Sequence, residues 1–135
     1  MGGTGATETQ NIAVVRRGYE AFAKGDVETL KSLFAESANW HAPGAGVLPG
    51  NYRGAQAILA FFGQIAHETE GTMRVEPLTM AASGDSVFVF EHITGTRKGK
   101  TLDTQAVLFF TLANGVVTEV KEFPADYPAY SHFWS

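Results

Sequence analysis

Apolar residues recur at helical spacing through the first half of the chain and alternate with polar ones through the second half. Ile12, Val15, Tyr19, Phe22 and Ala23 share one side of a predicted helix over residues 10–24, and Gly25 stops that run. Asp26 is a suitable N-cap for a shorter helix carrying Val27, Leu30, Leu33 and Phe34. A brief strand is expected over residues 38–41, followed by a loop punctuated by Pro43, Gly44, Gly46, Pro49, Gly50 and Gly54. Ile58, Leu59, Phe62, Ile65 and Ala66 then predict a third helix over residues 55–67, closed near Gly71. Four strands are expected over residues 73–82, 86–96, 101–112 and 116–123, with turns at Gly84-Asp85, Lys98-Gly99 and Asn114-Gly115. Helices first and an antiparallel meander last predict an α+β fold, with residues 1–10 a flexible lead and residues 11–135 one domain.

Two-residue turns set the strand register and therefore sort the side chains into two faces. Pairing Arg97 with Lys100 sets His92 opposite Gln105, Phe90 opposite Val107 and Phe88 opposite Phe109. Pairing Ala113 with Val116 sets Phe109 opposite Val120 and Val107 opposite Glu122. One face then carries Phe88, Phe90, His92, Gln105, Val107, Phe109, Val120 and Glu122, and it is the face expected to look into a pocket. The other carries Val87, Val89, Glu91, Ile93, Thr104, Ala106, Leu108, Phe110, Val117, Glu119 and Lys121. Both faces are apolar, and three short helices can cover only one of them. The second face is therefore expected to pair with another copy of the chain as a homodimer, with Glu91, Glu119 and Lys121 at a charged margin.

Composition narrows the function classes. The chain has 135 residues with 44% hydrophobic and 18% charged residues, which suits one globular domain with a sizeable core. A net charge of -4 and a single close cationic cluster, Arg97-Lys98-Gly99-Lys100, argue against nucleic-acid binding. The absence of cysteine excludes disulfides and thiolate chemistry and is compatible with a reducing cytosol, so a cytoplasmic location is expected. No basic-then-apolar leader and no long apolar run are visible, so neither export nor a membrane partner is expected. His41, His67, His92 and His132 are scattered, so no metal is expected. With no glycine-rich phosphate loop either, no cofactor is expected.

Tyr19-Glu20-Ala21-Phe22-Ala23-Lys24-Gly25-Asp26, Trp40-His41-Ala42-Pro43-Gly44, Tyr52-Arg53-Gly54, and Asn114-Gly115 followed by Glu122-Phe123-Pro124-Ala125-Asp126 resemble the SnoaL-like polyketide cyclases and their ketosteroid isomerase relatives. The resemblance runs from about Asn11 to Trp134. It implies the nuclear transport factor 2-like fold: a curved antiparallel sheet wrapped by three N-terminal helices into a cone around an apolar pocket. It also implies isomerase, cyclase, hydrolase, lyase or purely binding roles, since one scaffold carries them all. The isomerases' general-base Asp falls on Ala42, their oxyanion-hole Tyr at or near Gly18 and their protonated Asp near Val107, so all three roles are vacant. Asp126 matches the cyclases' acidic residue after the last strand to within one position.

The resulting expectation is a cofactor-independent enzyme that cyclises, isomerises or dehydrates a hydrophobic carbonyl-containing small molecule. Asp126 among Tyr127, Tyr130, Phe133 and Trp134 would move the proton, and His92 with Gln105 would polarise the carbonyl. Glu122 completes the catalytic candidates, as a carboxylate on the same inner face. Trp40, His41, Tyr19, Phe88, Phe90, Val107, Phe109 and Val120 are the other expected ligand contacts. The alternatives are a non-catalytic ligand- or partner-binding module, and an epoxide or ester hydrolase using water. Convergence of Asp126, His92 and Glu122 on one cavity distinguishes enzyme from binder.

Overall fold

The computed structural model describes residues 5–135. Helix α1 runs Ala6–Lys24 with Gly5 as its N-cap, so residues 6–10, expected to be flexible, form its first turns; residues 1–4 of that lead lie outside the described residues. Gly25 ends α1 in the left-handed conformation that glycine adopts without strain, and its N–H reaches the Ala21 and Phe22 carbonyls. Asp26 caps α2 (Val27–Leu33) by accepting from the Thr29 amide at 3.2 Å. Strand β1 (Phe34–Ala42) is longer than expected, because it gains pairing partners on both sides. One partner, β2 (Gly50–Arg53), lies in the segment read as loop. Helix α3 (Ala55–Glu68) and strands β3 (Arg74–Ser83), β4 (Ser86–Arg97), β5 (Lys100–Ala113) and β6 (Val116–Pro124) follow the expected order. A fourth helix, α4 (Tyr127–Trp134), was not expected: its aromatic run hid an Asp126 N-cap and a proline in the first turn, both ordinary helix-start features.

The six strands form one curved sheet in the order β2-β1-β6-β5-β4-β3, wrapped by the helices into an α+β cone. The β1–β6 pair is parallel, so the sheet is mixed rather than wholly antiparallel. The β4–β5 register is the expected one, with His92 opposite Gln105 and Phe88 opposite Phe109. The β5–β6 register is not. It shifts between Thr111 and Leu112, where Thr118 is left unpaired, so Phe109 faces Lys121 and Phe110 faces Val120. An extra residue in one strand reverses which side its later residues occupy relative to the partner.

The helices cover the face carrying Val87, Val89, Glu91, Ile93, Ala106, Leu108, Phe110 and Val117, all buried. This corrects the face assignment. The row expected to form the dimer surface is the concave core, except that Glu119 and Lys121 pair with Thr111 and Phe109 on the convex side; Phe88 and Phe90, expected to line the pocket, are 42% and 37% exposed on that convex side. Because of the β6 register shift, Val120 and Glu122 nevertheless lie on the concave side. Alternation separates two rows, but when both are apolar it does not say which row the helices cover.

The hairpin tip read as a cationic cluster anchors α4. Arg97 is only 2% exposed; its Nε donates to Glu68 Oε1 at 2.7 Å and its Nη1 to the carbonyls of Phe133 and Ser135. Lys100 Nζ donates to the His132 and Ser135 carbonyls at 3.1 and 2.9 Å, so two cations occupy the negative end of the helix. On its other side Val47 N–H donates to the Trp134 carbonyl, and Gly46 leaves room for that approach, since a Cβ there would collide with the same carbonyl. Among the described residues no helix is long and apolar enough to cross a membrane.

Candidate active site

Between the helices and the concave sheet lies a cavity of about 100 Å³. Helix α1 contributes Val14, Val15, Tyr19 and Phe22 to its wall, and α3 contributes Phe62 and Ile65. Among the residues that line it, side-chain oxygen or nitrogen atoms occur only on Tyr19, Trp40, Glu91, Glu122 and Tyr130. None is Lys, Arg or His. A groove between α1 and β3 adjoins the cavity and shares Tyr19, Phe22, Met73 and Val75 with it; Arg16, Glu20, Arg74, Glu76 and His92 also line the groove.

Glu91 is 2% exposed, and its Oε1 accepts a 2.6 Å hydrogen bond from the Tyr19 hydroxyl. Burial, reinforced by the negative charge of Glu122, pushes the Glu91 carboxyl up to about 8, against the opposing pull of the Tyr19 bond. Glu122 accepts from Trp40 Nε1 at 2.9 Å through Oε1 and from the Tyr130 hydroxyl at 3.1 Å through Oε2. Burial raises its carboxyl too, while those two donors favour the ionised form. Both tyrosines are held above the usual phenol range, chiefly by burial and then by the neighbouring glutamates, so they stay protonated as donors.

Register places the two carboxyls. Glu91 pairs with Ala106 and Ala106 with Pro124, two residues beyond Glu122. Their backbones are thus two strand spacings, about 10 Å, apart across the sheet and about 7 Å apart along it, and both side chains open onto one cavity. Two acids in one low-dielectric space do not both ionise readily. Glu122, with two donors, is the better carboxylate; Glu91, buried with one, is the better acid. Pairs whose surroundings separate their ionisation in this way suit proton transfer.

The residues expected from sequence divide between this cavity and the outside. Tyr19, Trp40 and Glu122 line it, and Val120 is packed in the core on the same side. Asp126 does not reach it. Its carboxylate accepts from the Ala129 amide at 3.1 Å and starts α4, an exposed capping task. His92 points to the convex side, where Nε2 meets Asp103 Oδ1 at 2.7 Å; Gln105 is also on that face. Phe88 and Phe109 stack there at 4.9 Å beside Phe90 and Val107. His41 alternates away from Trp40 and bridges Glu119 at 3.0 Å and Asn51 at 2.7 Å. The triad Asp126, His92 and Glu122 therefore does not converge, the outcome expected of a ligand-binding module if those three were the catalytic set.

Glu91 and Tyr130 were missed. Glu91 had a signal: it is the one acid in the alternating series Val87, Val89, Glu91, Ile93, where a charge is costly unless it has a task. Tyr130 had none, since its reach depends on α4. Gly18, at or near the vacant isomerase tyrosine, borders the cavity, and its neighbour Tyr19 supplies a phenol. Among the described residues no group of three or more His, Asp or Glu is placed to hold a metal ion.

Residues 15–120 match the model of the SnoaL-like domain. An uncharacterized protein of Mycobacterium tuberculosis is 34% identical over 131 residues, covering 96% of this chain and 99% of that protein. Among solved structures, Bal32a from a soil-derived mobile gene cassette superposes with a TM-score of 0.93 at 39% identity, covering 96% of this chain and 99% of that one. A nuclear transport factor 2-like protein from Burkholderia xenovorans superposes at 0.83 with 28% identity, covering 98% of this chain and all of that one.

Proposed function

Since the chain belongs to the SnoaL-like domain family, we propose that it binds a small, mainly apolar molecule in its cavity and catalyses proton transfer on it without a cofactor. The observation that carries the reading is the pair Glu91 and Glu122, two carboxyls in one apolar cavity with different donor sets. Glu122 takes a proton, and Glu91 supplies one to the atom that gains electron density. Trp40 and Tyr130 orient the base, and Tyr19 orients the acid. Isomerisation, cyclisation and dehydration all include such steps, cyclisation adding a bond between two atoms of the ligand and dehydration the departure of water. The carbonyl-polarising part given to His92 and Gln105 passes to Glu91, because both of those residues lie on the convex face.

Cyclohexanone in heavy water tests this, because its α-hydrogens exchange through base and acid steps of this kind. The chain should accelerate deuterium uptake, and Glu122→Gln should slow it by about 100-fold or more, the usual contribution of a positioned base. Equal exchange by wild type and the Glu91→Gln/Glu122→Gln double variant, with the ketone bound in both, would remove catalysis and leave a ligand-binding module.

The homodimer expectation becomes a proposal for the opposite set of residues. Phe88, Phe90 and Phe123 are 42%, 37% and 55% exposed on the convex side, an apolar area that a second copy would cover. Light scattering at micromolar concentration should report twice the chain mass. A monomer there would count against pairing.

A further inference from the structure

We propose that the natural ligand of the cavity is an apolar amine, bound as its ammonium ion between Glu91 and Glu122. The inference rests on the reading of this cavity as the ligand site and not on the reaction assigned to it: with the amine bound Glu91 is ionised, and the ammonium N–H takes over from it as the proton donor in the cavity. The first support is charge. The cavity holds two carboxyls, and no Lys, Arg or His lines it. A buried charge is ordinarily matched by its opposite, and elsewhere this chain does so: the buried Arg97 meets the partly exposed Glu68 at 2.7 Å. Here the protein supplies only neutral donors, from Tyr19, Trp40 and Tyr130.

The second support is an open acceptor. Glu91 Oε1 takes the Tyr19 hydroxyl, while the other oxygen of this 2% exposed residue has no hydrogen-bond partner among the described residues, although Glu91 borders the cavity. Once Glu91 gives up its proton, an ammonium N–H is the donor that this oxygen lacks. The third support is the wall. Tyr19, Phe22, Phe34, Trp40, Phe62 and Phe110 surround the space, with the Trp40 ring 5.1 Å from Phe62 and 6.4 Å from Phe110. Aromatic rings attract a cation through their electron-rich faces and also accept the apolar body attached to it. The elevated Glu91 carboxyl agrees, since it is where an acid settles while its counter-ion is missing. The titratable groups facing the bound nitrogen are Tyr19, Glu91, Glu122 and Tyr130.

Three probes of one ring size separate the possibilities: cyclohexylamine, cyclohexanol and cyclohexanone. Binding is followed by calorimetry and by the Trp40 indole N–H resonance, identified by its loss in Trp40→Phe. The amine should bind about tenfold or more tighter than either neutral ring, as expected for a hydrogen bond to a charged partner. At pH 7 its binding should release close to one proton, read as a dependence of the heat on buffer, because a cation beside Glu91 drives off that proton. Glu91→Gln and Glu122→Gln should weaken the amine and spare the alcohol. Equal or tighter binding of the neutral rings without proton release would overturn the amine assignment and leave the cavity reading intact. No response of Trp40 to any probe would overturn both. Tight amine binding without deuterium uptake by cyclohexanone would retain the ligand class and remove the proton-transfer reaction.

Discussion

The two faces of the central sheet are built from nearly the same residue types and do different work. Phe110 on the concave side is 5% exposed and lines the cavity; Phe109, one residue earlier, is half-buried and stacks on the exposed Phe88 on the convex side. Glu91 on the concave side meets Tyr19 and is pushed up to about 8. His92, the next residue, meets Asp103 on the convex side, where water screens the pair. What separates these neighbours is the cover provided by α1, α3 and α4. The cover turns one apolar row into a core and one ordinary acid into a candidate proton donor.

The largest expected contrast is between the two phenylalanines. Phe110→Ala should cost about 3–5 kcal/mol, as for other buried Phe truncations, and Phe109→Ala less than about 1 kcal/mol at dilutions where pairing is negligible. Thermal unfolding of both variants checks it, and equal losses would mean that the convex face is covered within the monomer.

The second contrast concerns pH. Glu91 keeps its proton up to about 8 when folded and loses it near the ordinary 4.5 when unfolded. Between those values the folded chain binds more protons, so this residue's contribution to stability is fully present below 4.5 and is lost as pH rises through 8. The span amounts to a few kcal/mol, on the order of three pH units of differential protonation. Chemical denaturation across the range should show the decline in wild type and a flatter curve in Glu91→Gln; superimposable curves would detach Glu91 from the effect.

Asp126 offers a smaller and sharper test. As the cap of α4, its replacement by Ala should cost about 1 kcal/mol. Deuterium uptake should persist wherever the fold does. A fully folded Asp126→Ala chain that no longer catalyses exchange would return the proton-moving role to Asp126.

The smallest effect should come from the exposed convex pair. His92→Ala should change stability by less than about 1 kcal/mol, and high salt should remove even that. A loss several times larger, measured below the pairing concentration, would show that the convex row is not solvent-facing.

Much of the architecture was legible beforehand because it depends on local chemistry. Turn residues at Gly84-Asp85, Lys98-Gly99 and Asn114-Gly115 delimited the four strands, and two-residue turns put His92 opposite Gln105. Helical spacing located α1 through α3, and the short motifs pointed to the family. In the site, Tyr19, Trp40 and Glu122 were legible as pocket residues, whereas Asp126 and His92 were drawn in by neighbouring aromatics that belong to α4 and to the convex face.

What the chain determines by itself is which residues alternate together, where the turns fall and which elements form, because those follow from interactions a few residues apart. Which alternating row becomes the interior is decided only in three dimensions, by the helices that reach across the sheet. The same holds for the single unpaired Thr118 that carries Val120 and Glu122 to the concave side, and for the anchoring of α4 by Arg97 and Lys100 that brings Tyr130 to Glu122. The reason is symmetry: a period-two pattern looks alike from both sides of a sheet, and only burial, which costs a carboxyl its solvent and gives a ring its neighbours, makes the sides different.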